Sequence, residues 1–131
     1  MNTRFIVIGK PTQEYAAVIR EYEKRLTKYC RFEVFEEKNE KSILPKLTGA
    51  VVVLDRAGKQ FSSEELADYL RWRDVTFVVG GAEGLTDEVK GRANLLLSFS
   101  RMTFPHQLAR LILTEQVYRA FTILKNEKYH K

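Results

Sequence analysis

Two apolar runs constrain this chain more than any other feature. Ala50 to Asp55 (AVVVLD) and Val75 to Val79 (VTFVV) are almost unbroken in apolar or β-branched residues and are bounded by turn signals. A strand wet on one face alternates apolar and polar positions, whereas an uninterrupted run has both faces covered. Around these runs the apolar period changes to three and four. Arg4 to Gly9 (RFIVIG) reads as a first strand with its exit turn at Gly9-Lys10-Pro11. Thr12 then caps a helix to about Tyr29, with Tyr15, Val18, Ile19, Tyr22, Leu26 and Tyr29 on one face. Phe32 to Phe35 is a second strand, and a helical turn is expected around Ile43 to Leu47 before Gly49. After Asp55, Arg56 to Lys59 reads as a turn, and Ser62 opens a capping box with Glu65. Thr86 to about Arg92 is a short helix, Leu95 to Phe99 a fifth strand, and Pro105 starts a helix to about Leu124. Alternating strands and helices predict an α/β domain, a mostly parallel sheet flanked by helices. In such sheets ligands bind beyond the carboxyl ends of the strands. The loops after Leu54, Val79 and Phe99 are therefore the places to look for chemistry.

With 131 residues the chain suits one domain spanning 1–131, and fifteen aromatics exclude a disordered polymer. No apolar run approaches the length of a membrane span, and the amino-terminal stretch does not read as a signal peptide. A lone cysteine, Cys30, makes no internal disulfide, which points to a reducing, cytoplasmic setting. Two histidines and that cysteine lack any ligand spacing, so no metal is expected. The net charge of +5 makes a nucleic acid a reasonable partner.

Gly80-Gly81-Ala82-Glu83-Gly84 lies between a strand and a helix. Small residues there let a ligand approach the backbone. The loop is not a dinucleotide fingerprint, which needs G-x-G-x-x-G after the first strand, and no phosphate-loop lysine follows it. A tight strand-to-helix turn with no ligand explains the loop equally well.

Read together, FVVGGAEGL at 77–85, LSFSRMTFPHQLARLILTEQVYRAFTI at 97–123 and the end NEKYHK strongly resemble the RlmH family, SPOUT-class methyltransferases acting on large-subunit ribosomal RNA. FIVIGK, EYEKRL and VVLDRAGKQFSSEELA are similar to the family as well, so the likeness covers nearly the whole chain. Two departures stand out. The stretch between Phe35 and Val51 is shorter than in the family, and Lys128 and Lys131 replace a Pro and an Arg common in its tail. The resemblance implies a trefoil knot in the carboxyl-terminal half (the SPOUT α/β-knot), S-adenosylmethionine as cofactor, and a homodimer. It further implies methylation of N3 of pseudouridine-1915 in 23S rRNA, on the ribosome.

By positional match the resemblance places Leu54, Gly80, Gly81, Gly84, Phe99, Ser100, Arg101, Met102, Thr103 and Phe104 at the cofactor. Without it, Phe99, Met102 and Phe104 would read as ordinary core. Removing the weakly acidic N3 proton calls for a base or a stabilising cation. His106, Arg119, Tyr129 and His130 are the candidates, with Glu115 nearby, and no general base is singled out. Arg20, Lys24, Lys28 and Arg31 are spaced to share one face of the first helix, a stripe suited to phosphates or simply to water. Lys131 joins the RNA-binding set. From Arg101 onward six Lys and Arg face only Glu115 and Glu127. The last helix is apolar almost all round, from Leu108, Leu111 and Ile112 to Leu124, which suggests a second chain against it. Two other functions stay open: a SPOUT enzyme acting on a transfer-RNA base or a ribose 2′-hydroxyl, and a ribosome-binding module without catalysis.

Overall fold

The computed structural model describes residues 1–131. Five strands are all parallel: β1 (Asn2–Ile8), β2 (Arg31–Glu37), β3 (Ala50–Gln60), β4 (Val75–Val79) and β5 (Leu95–Ser98), in the order β2-β1-β4-β3-β5. Helices α1 (Gln13–Leu26), α2 (Ser63–Leu70), α3 (Asp87–Lys90) and α4 (His106–Leu124) connect or follow them.

Strand alternation divides the sheet into two buried faces. Phe5, Val7, Val52, Phe77 and Val79 point towards α1, α2 and α4, where Leu26, Leu66, Leu70, Leu113, Val117 and Phe121 meet them. Ile6, Val51, Val53 and Val78 point the other way, onto Ile43 and Val89. Ile43 lies between two 3₁₀ turns (Glu40–Ser42 and Leu44–Lys46), which replace the single expected helical turn, and Val89 belongs to α3. Both faces of β3 and β4 are therefore dry, as their unbroken apolar runs require.

The expected turn at Arg56 to Lys59 is instead strand. β3 continues to Gln60, and its register against β5 shifts between Leu54 and Lys59, both of which oppose Leu97. Gly58 marks a close approach: a Cβ there would lie 2.5 Å from the Leu96 carbonyl group. Glycine lets the bulged strand press against its neighbour.

The capping box forms as read. Glu65 N–H donates to Ser62 Oγ at 3.0 Å, and Ser62 N–H to Glu65 Oε1 at 2.7 Å. Ser62→Ala is expected to cost about 1 kcal/mol in denaturant melts.

α4 runs back along the sheet between α1 and α2, burying Leu113, Val117, Ala120 and Phe121. Its own chain thus covers most of a circumference that the sequence had suggested was shared with a second chain. Leu108, Leu111 and Ile112 remain half-buried.

Candidate functional site

All five strands are parallel, so their carboxyl ends share one edge, and a cavity of about 560 Å³ opens there. β3 contributes Leu54 and Asp55, β4 ends at Val79 and Gly80, and β5 leads into Phe99 and Ser100. Gly81, Gly84, Met102, Thr103, Phe104 and His106 also line the cavity. All three loops singled out from the sequence meet here. Arg101 is exposed and stands outside the lining.

The glycine loop holds itself in shape. Gly84 N–H donates to Gly81 O at 3.0 Å, and Gly84 takes φ +76°, a conformation that favours glycine. A Cβ on Gly80 would lie 2.9 Å from Leu85 Cγ and 3.2 Å from the Gly84 carbonyl carbon. Gly80 is thus needed first by the loop's own packing.

The opposite wall is a hydrogen-bonded turn. Ser98 Oγ donates to Ser100 O at 2.8 Å, and Met102 N–H to Ser100 Oγ at 3.0 Å. Arg56 Nη1 donates to Thr103 Oγ1 at 2.9 Å, tying the β3 bulge to this turn. Asp55 accepts from Ala57 N–H at 3.1 Å and pairs with Lys90 at 3.2 Å. The Ala57 bond, aided by Lys90, holds its carboxyl below the usual range, so it is ionised at neutral pH. Asp55, at the end of the expected strand, and Arg56, at the start of the expected turn, were not among the residues expected at the cofactor, and they reach the wall because β3 continues past them.

His106, at the start of α4, is the one imidazole on the cavity wall. The other catalytic candidates lie elsewhere in this chain. Arg119, Tyr129 and His130 gather with Glu115, Glu64 and Tyr22 on the outer surface of α4. At 1.5 Å per residue, Glu115 and Arg119 stand about 14 and 20 Å along the helix from His106.

That cluster is tightly bonded and packs the tail against α1, α2 and α4. Tyr129 Oη donates to Glu115 Oε2 at 2.8 Å, and its ring meets the Tyr118 ring edge-on at 4.8 Å. Burial, with Tyr22 and Glu115 beside it, raises the Tyr129 phenol well above its usual range. It stays a neutral donor. Arg119 pairs with Glu115 at 2.8 Å, which holds its guanidinium cationic. Arg119 Nη1 lies 3.0 Å from His130 Nδ1, and His130 Nε2 lies 2.8 Å from Glu64 Oε2. Arginine only donates, so Nδ1 accepts and the ring proton sits on Nε2, donated to Glu64. Both ring nitrogens are occupied. In this arrangement neither Tyr129 nor His130 offers a free base.

Some expected cations are neutralised. Arg110 is 3% exposed and bridges Glu36 at 2.7 Å and Glu23 at 3.0 Å. Arg119 is paired too, with Glu115, but its side chain stays 26% exposed. Arg20, Lys24, Lys28 and Lys131 are all exposed, and none pairs with a carboxylate.

A family profile described as "Predicted SPOUT methyltransferase" matches residues 1–130. "Ribosomal RNA large subunit methyltransferase H" of Clostridioides difficile (strain 630) is 43% identical, with all of both chains covered. The protein of the same name from Latilactobacillus sakei subsp. sakei (strain 23K) is 42% identical over the same full extent. The alignment spans 159 positions, so these relatives carry residues that this chain lacks. Among solved structures, a probable methylase family protein from Haemophilus influenzae Rd KW20 superposes with a TM-score of 0.63 at 11% identity. That match covers 98% of this chain and 70% of the other. The SpoU methyltransferase AviRb from Streptomyces viridochromogenes, solved with AdoMet, gives a TM-score of 0.54 at 10% identity, covering 91% and 57%.

Proposed function

The chain belongs to the SPOUT methyltransferase family, and on that premise we propose that it transfers a methyl group from S-adenosylmethionine to N3 of pseudouridine-1915 in 23S rRNA, on the ribosome. The observation that carries the reading is the cavity at the carboxyl edge of the sheet, in a chain alike over its whole length to rRNA methyltransferases.

The cavity suits this cofactor. Its volume is in the range of small-molecule sites. S-adenosylmethionine carries no phosphate, and the site offers no phosphate cradle. Leu54, Phe99, Met102 and Phe104 give apolar surface for an adenine, and the Gly80 loop gives main-chain groups for its edge. Asp55 and Arg56 both line the wall, and Asp55 is paired with Lys90, so the charges there are balanced among the protein's own residues. When bound, the cofactor supplies an electrophilic methyl group. The protein has to position the pseudouridine and accept or stabilise the charge left by its N3 proton. His106 adjoins the cavity, while Arg119 brings a fixed cation suited to developing negative charge.

Because Arg119, Tyr129 and His130 are far along α4 from His106, one subunit does not bring the two sets together. A homodimer in which the tail of one chain meets the cavity of the other would do so. The half-buried Leu108, Leu111 and Ile112 offer apolar surface for that contact. We further place the carboxyl-terminal trefoil knot in this reading, with the glycine loop and residues 99–105 as its walls, in a cytoplasmic enzyme. Arg20, Lys24, Lys28 and Lys131 are assigned to rRNA phosphates.

Calorimetric titration with S-adenosylmethionine tests the cavity. Phe104→Ala should weaken binding about tenfold, or roughly 1.4 kcal/mol, by removing apolar contact. Gly80→Val should weaken it by more than tenfold because the side chain forces Leu85 and Gly84 apart. Unchanged affinity in both folded variants would remove the cofactor from this cavity.

A further inference from the structure

Trp72 is the chain's single tryptophan, and it is 86% exposed. It follows α2 and takes φ +59°, the left-handed conformation that a bulky side chain rarely adopts. The turn closes around it: Arg71 N–H donates to Asp68 O at 3.3 Å, and Arg73 N–H to Leu70 O at 3.2 Å. This is the place just past a helix where glycine is the usual residue. Asn126, the other non-glycine residue with positive φ, is of a type that tolerates it. Nothing in the packing requires an indole at position 72, and the backbone would be easier without one. Strain carried by an exposed aromatic points to a role outside the fold.

Its surroundings are those of a nucleic-acid contact. Arg73 pairs with no carboxylate and stacks over the Tyr69 ring, 4.3 Å from its centre. Arg71 flanks Trp72 on the other side, paired with the exposed Asp68 at 3.2 Å. The turn precedes β4, so it lies at the amino edge of the sheet, away from the cavity. β1 pairs there with the start of β2, where Arg31 opposes Asn2, and α1 delivers Lys28 to the same edge. Arg31 and Lys28 are exposed and make no ion pair. Four cations thus share this edge with three carboxylates: Asp68, paired with Arg71; Asp74, which accepts from Asn2 N–H at 2.7 Å; and Glu127, which accepts from Tyr29 at 2.7 Å. Lys24 and Arg20 extend the charge along α1 towards the cavity edge.

We propose that Trp72 stacks on an unpaired base of the ribosomal RNA, with Arg71, Arg73, Lys28 and Arg31 holding the flanking phosphates. An exposed indole between cations is the combination that binds single-stranded nucleic acid, because every base offers a π-face. The inference rests on the rRNA methyltransferase reading for its partner. Lying at the opposite edge from the cavity, this contact adds affinity for the substrate and leaves the chemistry alone.

Having one tryptophan makes the test direct. Poly(A) added to the full-length protein should quench its indole fluorescence, and the quenching should weaken as salt rises. Trp72→Gly should melt no lower than the parent, because glycine suits that backbone. It should raise KM for ribosomes about fivefold or more, with kcat and S-adenosylmethionine affinity unchanged. Unquenched fluorescence, or an unchanged KM, overturns the proposal. A raised KM without quenching would place a ribosomal protein, not RNA, on Trp72, and overturns it too. Should the parent protein methylate no ribosomes, the rRNA reading fails, and the poly(A) titration alone decides for Trp72.

Discussion

Deleting Tyr129, His130 and Lys131 is expected to lower methyl transfer to ribosomes by on the order of 10²-fold or more, with S-adenosylmethionine affinity nearly unchanged. The tail touches no residue of its own chain's cavity, so cofactor binding has no reason to follow it. Activity does have a reason. His130 accepts from Arg119, Tyr129 crosses the Arg119 guanidinium at 4.9 Å, and Tyr129 donates to Glu115. Removing them releases the cation that would stabilise a deprotonated pseudouridine and takes away Lys131. Stability should fall by about 2–4 kcal/mol, since four largely exposed hydrogen bonds are lost and each is worth about 0.5–1 kcal/mol. Lys131→Arg should retain or raise activity, because a guanidinium grips phosphate in two places where an ammonium offers one point charge. Single-turnover rates on ribosomes, beside calorimetry on the same preparations, separate the two effects. Full activity from the truncated protein would reduce the tail to a structural clasp.

The largest effect of a single substitution on stability is expected at Arg110. Its guanidinium is buried between Glu23 of α1 and Glu36 of β2, so one side chain fastens α4 to both. Arg110→Ala leaves two carboxylates close together and mostly enclosed, at a cost of about 3 kcal/mol. Chemical denaturation reads this directly. Arg110→Met combined with Glu23→Gln and Glu36→Gln should recover most of the loss, since it removes the charges along with their partner. If Arg110→Met with both glutamates intact is as stable as the triple variant, packing and not charge is the cause.

These two sites also show where the sequence was legible. The buried faces of β3 and β4 could be read from continuous apolar runs, and the Ser62 cap from the three-residue spacing of Ser62 and Glu65. Both signals are local. The cavity could be anticipated because a parallel sheet puts its strand ends at one edge, and the loops after Leu54, Val79 and Phe99 do line it. What could not be read depends on distant partners. Arg110 counted as a surface cation until Glu23 and Glu36 were found beside it. NEKYHK looked unable to pack, yet Tyr129 meets Tyr22 across 107 residues of sequence, and Tyr29 donates to Glu127 at 2.7 Å across 98. The segment RAGK resembled a turn by composition. It remains strand because Gly58 allows the β5 backbone within reach, which no local rule reveals.

Methyl transfer to N3 of a 23S rRNA pseudouridine is tested most directly by its product. Ribosomes lacking the modification are incubated with this protein and S-adenosylmethionine labelled in its methyl group, and the 23S rRNA is then digested to nucleosides. Label is expected in a single nucleoside, N3-methylpseudouridine, close to one methyl per large subunit. Label on a ribose 2′-hydroxyl or in transfer RNA, or no transfer by protein that binds both cofactor and ribosomes, would contradict this expectation.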